Sequence, residues 1–114
     1  MFRTTLIIPD FNVGRGSVTY GGGNPVLVVP ADPFRVYVAI CLSAGSTAYI
    51  SDDPNFVPPI TPWQIASGAT LEFIWAWHGV LTTLPLYVTV KSPVPVGGAI
   101  LSYWWMQWQP GSNV

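Results

Sequence analysis

Charged side chains are the scarcest class in this 114-residue chain. They make up 8% of it, four cationic and five anionic, where an ordinary soluble domain has roughly 25%. So few cations, spread along the chain, cannot neutralise a run of phosphates, and we expect no nucleic-acid partner. By contrast, 50% of the residues are apolar and six are Trp. Because ionic groups are too few to cover a free monomer, we predict that much of the surface packs against other protein.

Cysteine and histidine are nearly absent, since Cys41 and His78 are the sole residues of each type. One cysteine cannot form an intramolecular disulfide, and Cys41 lies in an alternating apolar run typical of a buried, inert thiol. One histidine cannot build a zinc site. The acid Glu72 lies six residues upstream of His78, roughly 20 Å away along one predicted strand. We therefore predict that the chain is no enzyme and binds no metal or cofactor.

Two short motifs have both a structural and a binding interpretation. The acidic cluster Asp52-Asp53-Pro54-Asn55 is typical of a turn that bonds its own backbone, and the alternative is a calcium site. The glycines of Gly14-Arg15-Gly16-Ser17 and Gly21-Gly22-Gly23 lack the Lys-Ser/Thr pair and helix start of a phosphate-binding loop. We predict a turn at the first motif and mobile loops at the second.

Long hydrophobic runs are missing as well. The best candidate membrane span, Leu71–Val90, contains Glu72 and Pro85 and alternates at period two, so no transmembrane helix is expected. Met1–Asp10 has neither the apolar stretch nor the cleavage site of a signal peptide. We expect a product made in the cytoplasm, with no membrane partner.

Twelve Pro and eleven Gly divide the chain into short segments whose apolar residues alternate at period two, which is the pattern of strands. This predicts an all-β fold with one domain over residues 1–114: an antiparallel β-sandwich or jelly-roll-like barrel of about seven or eight short strands. The predicted strands are Thr4–Ile8, Ser17–Tyr20, Val26–Val29, Phe34–Leu42, Thr47–Ser51, Thr70–Trp77, Leu86–Lys91 and Ala99–Trp108.

The last predicted strand, Ala99–Trp108, carries large residues on both faces, unlike a sandwich strand with one face in water. Either it is a central strand covered on both sides, or a partner buries its outer face. We favour the partner, because Trp residues dominate interface energetics. Residues 1–9 are predicted to form an extended N-terminal arm that pairs along a neighbour's strand edge; the alternative is an edge strand of the domain's own sheet. The predicted contact residues are Leu6, Ile7, Ile8, Trp104, Trp105, Met106 and Trp108.

Roughly residues 25–75 resemble a pattern found in small virion proteins of tailed bacteriophages. In that pattern a strand ends in Pro-Ala-x-Pro, an Arg-Val-x-Val strand follows, and a hairpin partner and a Gly-x-x-Leu-Glu-Phe segment complete it. The matching segments are Val26–Leu42, which contains Pro30-Ala31-Asp32-Pro33 and Arg35-Val36-Tyr37-Val38, Gly45–Pro54, and Gly68-Ala69-Thr70-Leu71-Glu72-Phe73. The Trp-rich strand at the C-terminus is outside the resemblance.

The resemblance implies a structural protein of the virion, a capsid decoration or cement protein located on the capsid surface. Such proteins are β-sandwiches without an active site. They form dimers or trimers and bind the major capsid protein or other virion proteins. The alternative is a receptor- or glycan-binding module of a virion fibre or tail, in which exposed Trp rings would stack on sugars.

Overall fold

Eight strands and one short helical segment make up the part of the chain, residues 11–108, that the computed structural model describes. The helical segment is one α-helical turn, α1 (Trp75–His78), continued by a 3-10 turn at Gly79–Thr83. The strands are β1 (Phe11–Tyr20), β2 (Val26–Val29), β3 (Arg35–Ala44), β4 (Thr47–Ser51), β5 (Trp63–Ala66), β6 (Thr70–Ile74), β7 (Leu86–Val90) and β8 (Ala99–Trp108). The predicted strand Thr4–Ile8 and the arm at residues 1–9 lie outside the described residues.

The strands form two antiparallel four-stranded sheets, ordered β1-β8-β3-β6 and β2-β7-β4-β5. The first strand pairs with the last, the second with the seventh, the third with the sixth and the fourth with the fifth. This order arises when one long antiparallel ribbon folds over on itself, which is the double-sheet jelly roll. The prediction of an all-β antiparallel sandwich is confirmed.

The core lies between the two sheets and is built from alternate residues of each strand. In β3 the inward side chains are Val38, Ile40 and Leu42, all almost fully buried, as the period-two pattern predicts. Leu101 of β8 and Ile50 of β4 meet them from the neighbouring strand and the opposite sheet. Burial of apolar surface, worth about 25 cal/mol per Å², thus holds the sheets together without a disulfide.

The prediction of a mobile loop at Gly14-Arg15-Gly16 is wrong, because both glycines lie inside β1. Gly14 pairs with Trp105 of β8 and Gly16 with Tyr103. A Cβ atom on Gly14 would overlap the Trp105 ring, and one on Gly16 would lie 2.6 Å from the Tyr103 hydroxyl. The glycines therefore leave room for two aromatic side chains of the neighbouring strand.

The predicted strand Thr70–Trp77 ends early, at Ile74, where α1 begins. The Ile74 N–H donates a hydrogen bond to Nδ1 of His78 (2.9 Å), and the His78 ring packs edge-on against Phe73. These two contacts close the turn and leave Trp75 and Trp77 on the surface. The strand β5 at Trp63–Ala66 was not predicted; Trp63 packs edge-on against Phe73, with ring centroids 5.1 Å apart.

Candidate interaction surface

The strand β8 is central in its sheet, between β1 and β3, and its side chains alternate between two environments. Leu101, Tyr103 and Trp105 face inward and pack in or against the core. Trp104, Met106 and Trp108 face the opposite way, on the outer side of the sheet. Three of the four predicted contact residues of this strand therefore share one face and Trp105 does not, while Leu6, Ile7 and Ile8 lie outside the described residues.

The outer face of this sheet is an array of side chains in rows that run across the strands. One end is apolar, with Val13 at 70% and Trp104 at 44% exposure, and the other end carries small polar groups such as Ser17 and Ser102. The whole outer face of this sheet is called the aromatic face; its apolar end carries Phe11, Val13, Tyr37, Trp104, Met106 and Trp108. Three rows each include a residue of all four strands: Val13–Met106–Tyr37–Ile74, Arg15–Trp104–Ala39–Glu72 and Ser17–Ser102–Cys41–Thr70.

A second exposed apolar cluster, the aromatic tip, is formed by Phe34, Trp75, Trp77 and Val80 at one end of the sandwich. Trp77 is 81% exposed. Phe34 and Trp75 line a hollow of about 290 Å³ together with Trp108, so the tip adjoins the aromatic face. Contiguous exposed apolar surface, as around the hollow of Phe34, Trp75 and Trp108, marks interaction sites in soluble proteins.

The outer face of the other sheet differs, because a loop lies over part of it. Pro58 and Pro59 of the connection between β4 and β5 line a hollow with Tyr49 and Thr89. Thr89 is only 3% exposed although it points away from the core. Within residues 11–108 the aromatic face has no comparable cover, as the exposure of Val13 and Trp104 shows.

The charged groups of the aromatic face lie at opposite ends of one row. Arg15 is on the edge strand β1 and Glu72 on the edge strand β6, with Trp104 and Ala39 between them. The Tyr37 hydroxyl donates a hydrogen bond to Oε2 of Glu72 (2.6 Å). This hydrogen bond, assisted by burial and by the carboxylate charge, raises the pKa of Tyr37 to about 12.

Replacing Glu72 with Gln should return the pKa of Tyr37 towards its ordinary value of 10.0. Because the folded protein favours the protonated phenol, the stability contributed by this contact is complete below pH 10.0 and is lost as the pH rises towards about 12. Ultraviolet titration of tyrosinate measures the shift, and Tyr37→Phe identifies which part of the curve belongs to Tyr37. An unchanged curve in Glu72→Gln would contradict the assignment.

The residues that carry reactive chemistry are not brought together. Nδ1 of His78 accepts a hydrogen bond from the Ile74 N–H. Cys41 lies opposite Thr70 in the β3–β6 pair. Thr70 is four residues from Ile74, which is roughly 13 Å along the strand. In the 52–55 cluster, Oδ1 of Asp53 accepts the Asn55 N–H (2.8 Å), which is the predicted turn. No group of three or more His, Cys, Asp or Glu residues in the 11–108 range could hold a metal ion. None of the helical segments in that range has the length and hydropathy to cross a membrane.

The burial of Arg35 was not predicted from the sequence. Arg35 is 2% exposed and donates hydrogen bonds to the backbone carbonyls of Thr82 (2.8 Å), Pro30 (2.7 Å) and Leu84. A β-bulge between Arg35 and Tyr37 turns the guanidinium inward. Burial lowers its pKa, and the nearby Asp32 carboxylate partly offsets that effect. Arg35 thus ties together the two loops beneath the aromatic tip.

No protein-family model matches this chain, and no curated protein matches its sequence. The two exposed apolar clusters are therefore the observations that bear on function.

Proposed function

We propose that this chain is a structural protein of a virion, a capsid decoration or cement protein that acts through burial of surface and not through catalysis. The observation that carries the proposal is the aromatic face: Trp104, Met106 and Trp108 stand side by side on a sheet. A protein with 8% charged residues that also exposes such a face gains stability when other subunits cover it.

The expected mechanism is additive burial. A fully buried Trp removes on the order of 200 Å² from water, which at about 25 cal/mol per Å² is worth at most ~5 kcal/mol before entropic costs. A subunit that binds only the assembled shell stabilises it by mass action. Many copies, each contributing a few such contacts, would then shift the equilibrium strongly towards the intact particle.

Fold and sequence pattern both support this class of function. The double-sheet jelly roll is a common architecture of viral capsid domains, although lectins also use it. The segments that resemble tailed-phage virion proteins form β2, β3, β4 and β6 with their connections. They therefore contribute strands to both sheets of the sandwich.

The test is binding to purified virus particles from the source of this chain. We expect saturable co-sedimentation of the protein with intact particles and a higher temperature of genome release when it is bound. Trp77→Ser and Trp104→Ser should weaken binding singly or together. Leu27→Ser, which removes an exposed apolar side chain elsewhere, is the matched control. Failure of the unmodified protein to co-sediment would refute the proposal.

A receptor- or glycan-binding module is the second candidate, favoured by one feature of the same face. Trp104, Tyr37 and Arg15 line a hollow of about 660 Å³, and aromatic rings beside a polar group are suited to stacking on a sugar. A glycan array separates the two functions. Specific glycan binding that is lost in Trp104→Ser, without binding to capsid shells, would favour this candidate.

A further inference from the structure

We propose that the aromatic face is covered by a second copy of this chain, in a two-fold dimer whose axis runs parallel to the strands of the sheet. The inference rests on the proposed structural role: it assigns the aromatic face to a second copy and leaves the exposed aromatic tip for contact with the shell. It is carried by the pattern of charge and size across one row: Arg15, Trp104, Ala39, Glu72.

Two identical faces related by a two-fold axis must have that axis in the plane of contact. An axis parallel to the strands, between β8 and β3, exchanges the two edges of the sheet and keeps every row opposite itself. Arg15 then faces the partner's Glu72, and Glu72 faces the partner's Arg15. The dimer forms two symmetric ion pairs from the two charges that the face presents.

The uncharged positions agree with the same axis. Trp104 lies opposite the partner's Ala39, the smallest side chain of the row, which is only 2% exposed and therefore adds size complementarity but almost no contact area of its own. In the next row Met106 faces the partner's Tyr37 and Val13 faces the partner's Ile74, so apolar groups meet apolar groups. The polar row of Ser17 likewise meets polar groups.

An axis running across the strands fits poorly. It places the β1 edge of one copy against the β1 edge of the other, so Arg15 never meets the partner's Glu72. If the axis passes through the Arg15 row, like charges face each other and the apolar rows cover the rows of Ser17 and Ser102. If it is moved to the apolar end, half of the face is left uncovered.

The size of the face is sufficient for a specific dimer. Three ten-residue strands and the five-residue strand β6, about 4.8 Å apart and at about 3.3 Å per residue, present roughly 550 Å² per copy. The total of roughly 1,100 Å² exceeds the ~1,000 Å² expected of a biological interface and is slightly below the standard size. Two sheets packed in this way keep their strands within about 30° of each other, as in ordinary sandwiches.

The experiment exchanges the two charges in separate full-length proteins. Arg15→Glu gives a face with two acidic groups, and Glu72→Arg gives a face with two basic groups. Each variant alone opposes like charges twice, so we expect its dimer dissociation constant, measured by sedimentation velocity, to rise about tenfold or more. A one-to-one mixture pairs acidic with basic faces and should regain the unmodified affinity as a heterodimer.

Recovery of affinity in the mixture shows that the two charges meet between copies and not within one copy. Each variant carries two charges of the same sign, so only a heterodimer can pair opposite charges. Lys91→Glu, an exposed charge reversal away from the face, is the control and should leave the dimer unchanged. A monomeric unmodified chain, or a mixture that associates no better than its components, would overturn the dimer. Shell binding is measured on the same samples: a monomer that still binds shells refutes the dimer alone, and a dimer that binds none refutes the decoration role alone.

Discussion

Replacing Arg35 with Leu should lower the free energy of unfolding by about 2–4 kcal/mol, because three backbone carbonyls lose their charged donor. The guanidinium donates to the carbonyls of Pro30, Thr82 and Leu84. A leucine of similar bulk leaves the buried Thr82 carbonyl without a donor, at about 1–3 kcal/mol, and the part-buried Pro30 and Leu84 carbonyls at less, because water can reach them. Urea denaturation monitored by Trp fluorescence measures the loss.

Two further substitutions identify the cause of that loss. Arg35→Lys keeps the charge but replaces the planar guanidinium with a single ammonium group. Because the ammonium group cannot reach three divergent carbonyls with the same geometry, we expect an intermediate loss in the free energy of unfolding. Lys91→Met removes an exposed cation and should change stability by less than about 0.5 kcal/mol. If Arg35→Leu is as stable as the unmodified protein, Arg35 does not anchor the two loops.

Most of the fold could be predicted from local periodicity, because alternation at period two survives wherever one strand face is buried. The β8 bounds, Ala99–Trp108, match the prediction, and β3 is shifted by only one or two residues. β1 could not be predicted in full. Its Gly14 and Gly16 indicate a loop until the strand is paired with the aromatic residues of β8, more than eighty positions away.

The early end of β6 at α1 and the burial of Arg35 were both missed for the same reason. Each depends on contacts that form only in the folded chain. The alternation of Trp75 and Trp77 continues the pattern of β6, and the strand nevertheless ends because the His78 ring bonds back to Ile74 and packs on Phe73. An arginine at the start of an apolar strand looks solvent-exposed in sequence. Only the bulge and the surrounding carbonyls make its burial favourable.

The candidate surface was predicted in part. Large side chains on both faces of β8 indicated an unusual strand. From them Trp104, Met106 and Trp108 were predicted as contact residues. The same pattern also led to the prediction of Trp105, which packs inward, because composition alone cannot say which face of a strand meets the core. Phe11 and Val13 join the surface only through the β1–β8 register. The row that places Arg15 and Glu72 at opposite edges likewise requires the order of four strands.

Substituting the adjacent residues Trp104 and Trp105 with Ser should affect different properties: association for Trp104 and folding stability for Trp105. Trp104 is 44% exposed, so Trp104→Ser should cost about 1 kcal/mol of folding stability or less, while the dimer dissociation constant rises about a hundredfold or more. Trp105 packs against the core and over Gly14, so Trp105→Ser should lower the free energy of unfolding by about 2–4 kcal/mol. Denaturant unfolding and sedimentation velocity on the same samples measure both quantities.

The contrast between neighbours is informative because the two substitutions remove the same side chain from the same strand. Only the direction of the side chain differs, so a general sensitivity of β8 to the loss of an indole would affect both variants alike. Unfolding of Trp104→Ser would place that residue in the fold's own core and remove the basis for an interface on this side of the sheet. Trp108→Ser, on the same face as Trp104 and nearer the aromatic tip, should follow Trp104→Ser with a smaller loss of association, because it lies away from the centre of the proposed interface.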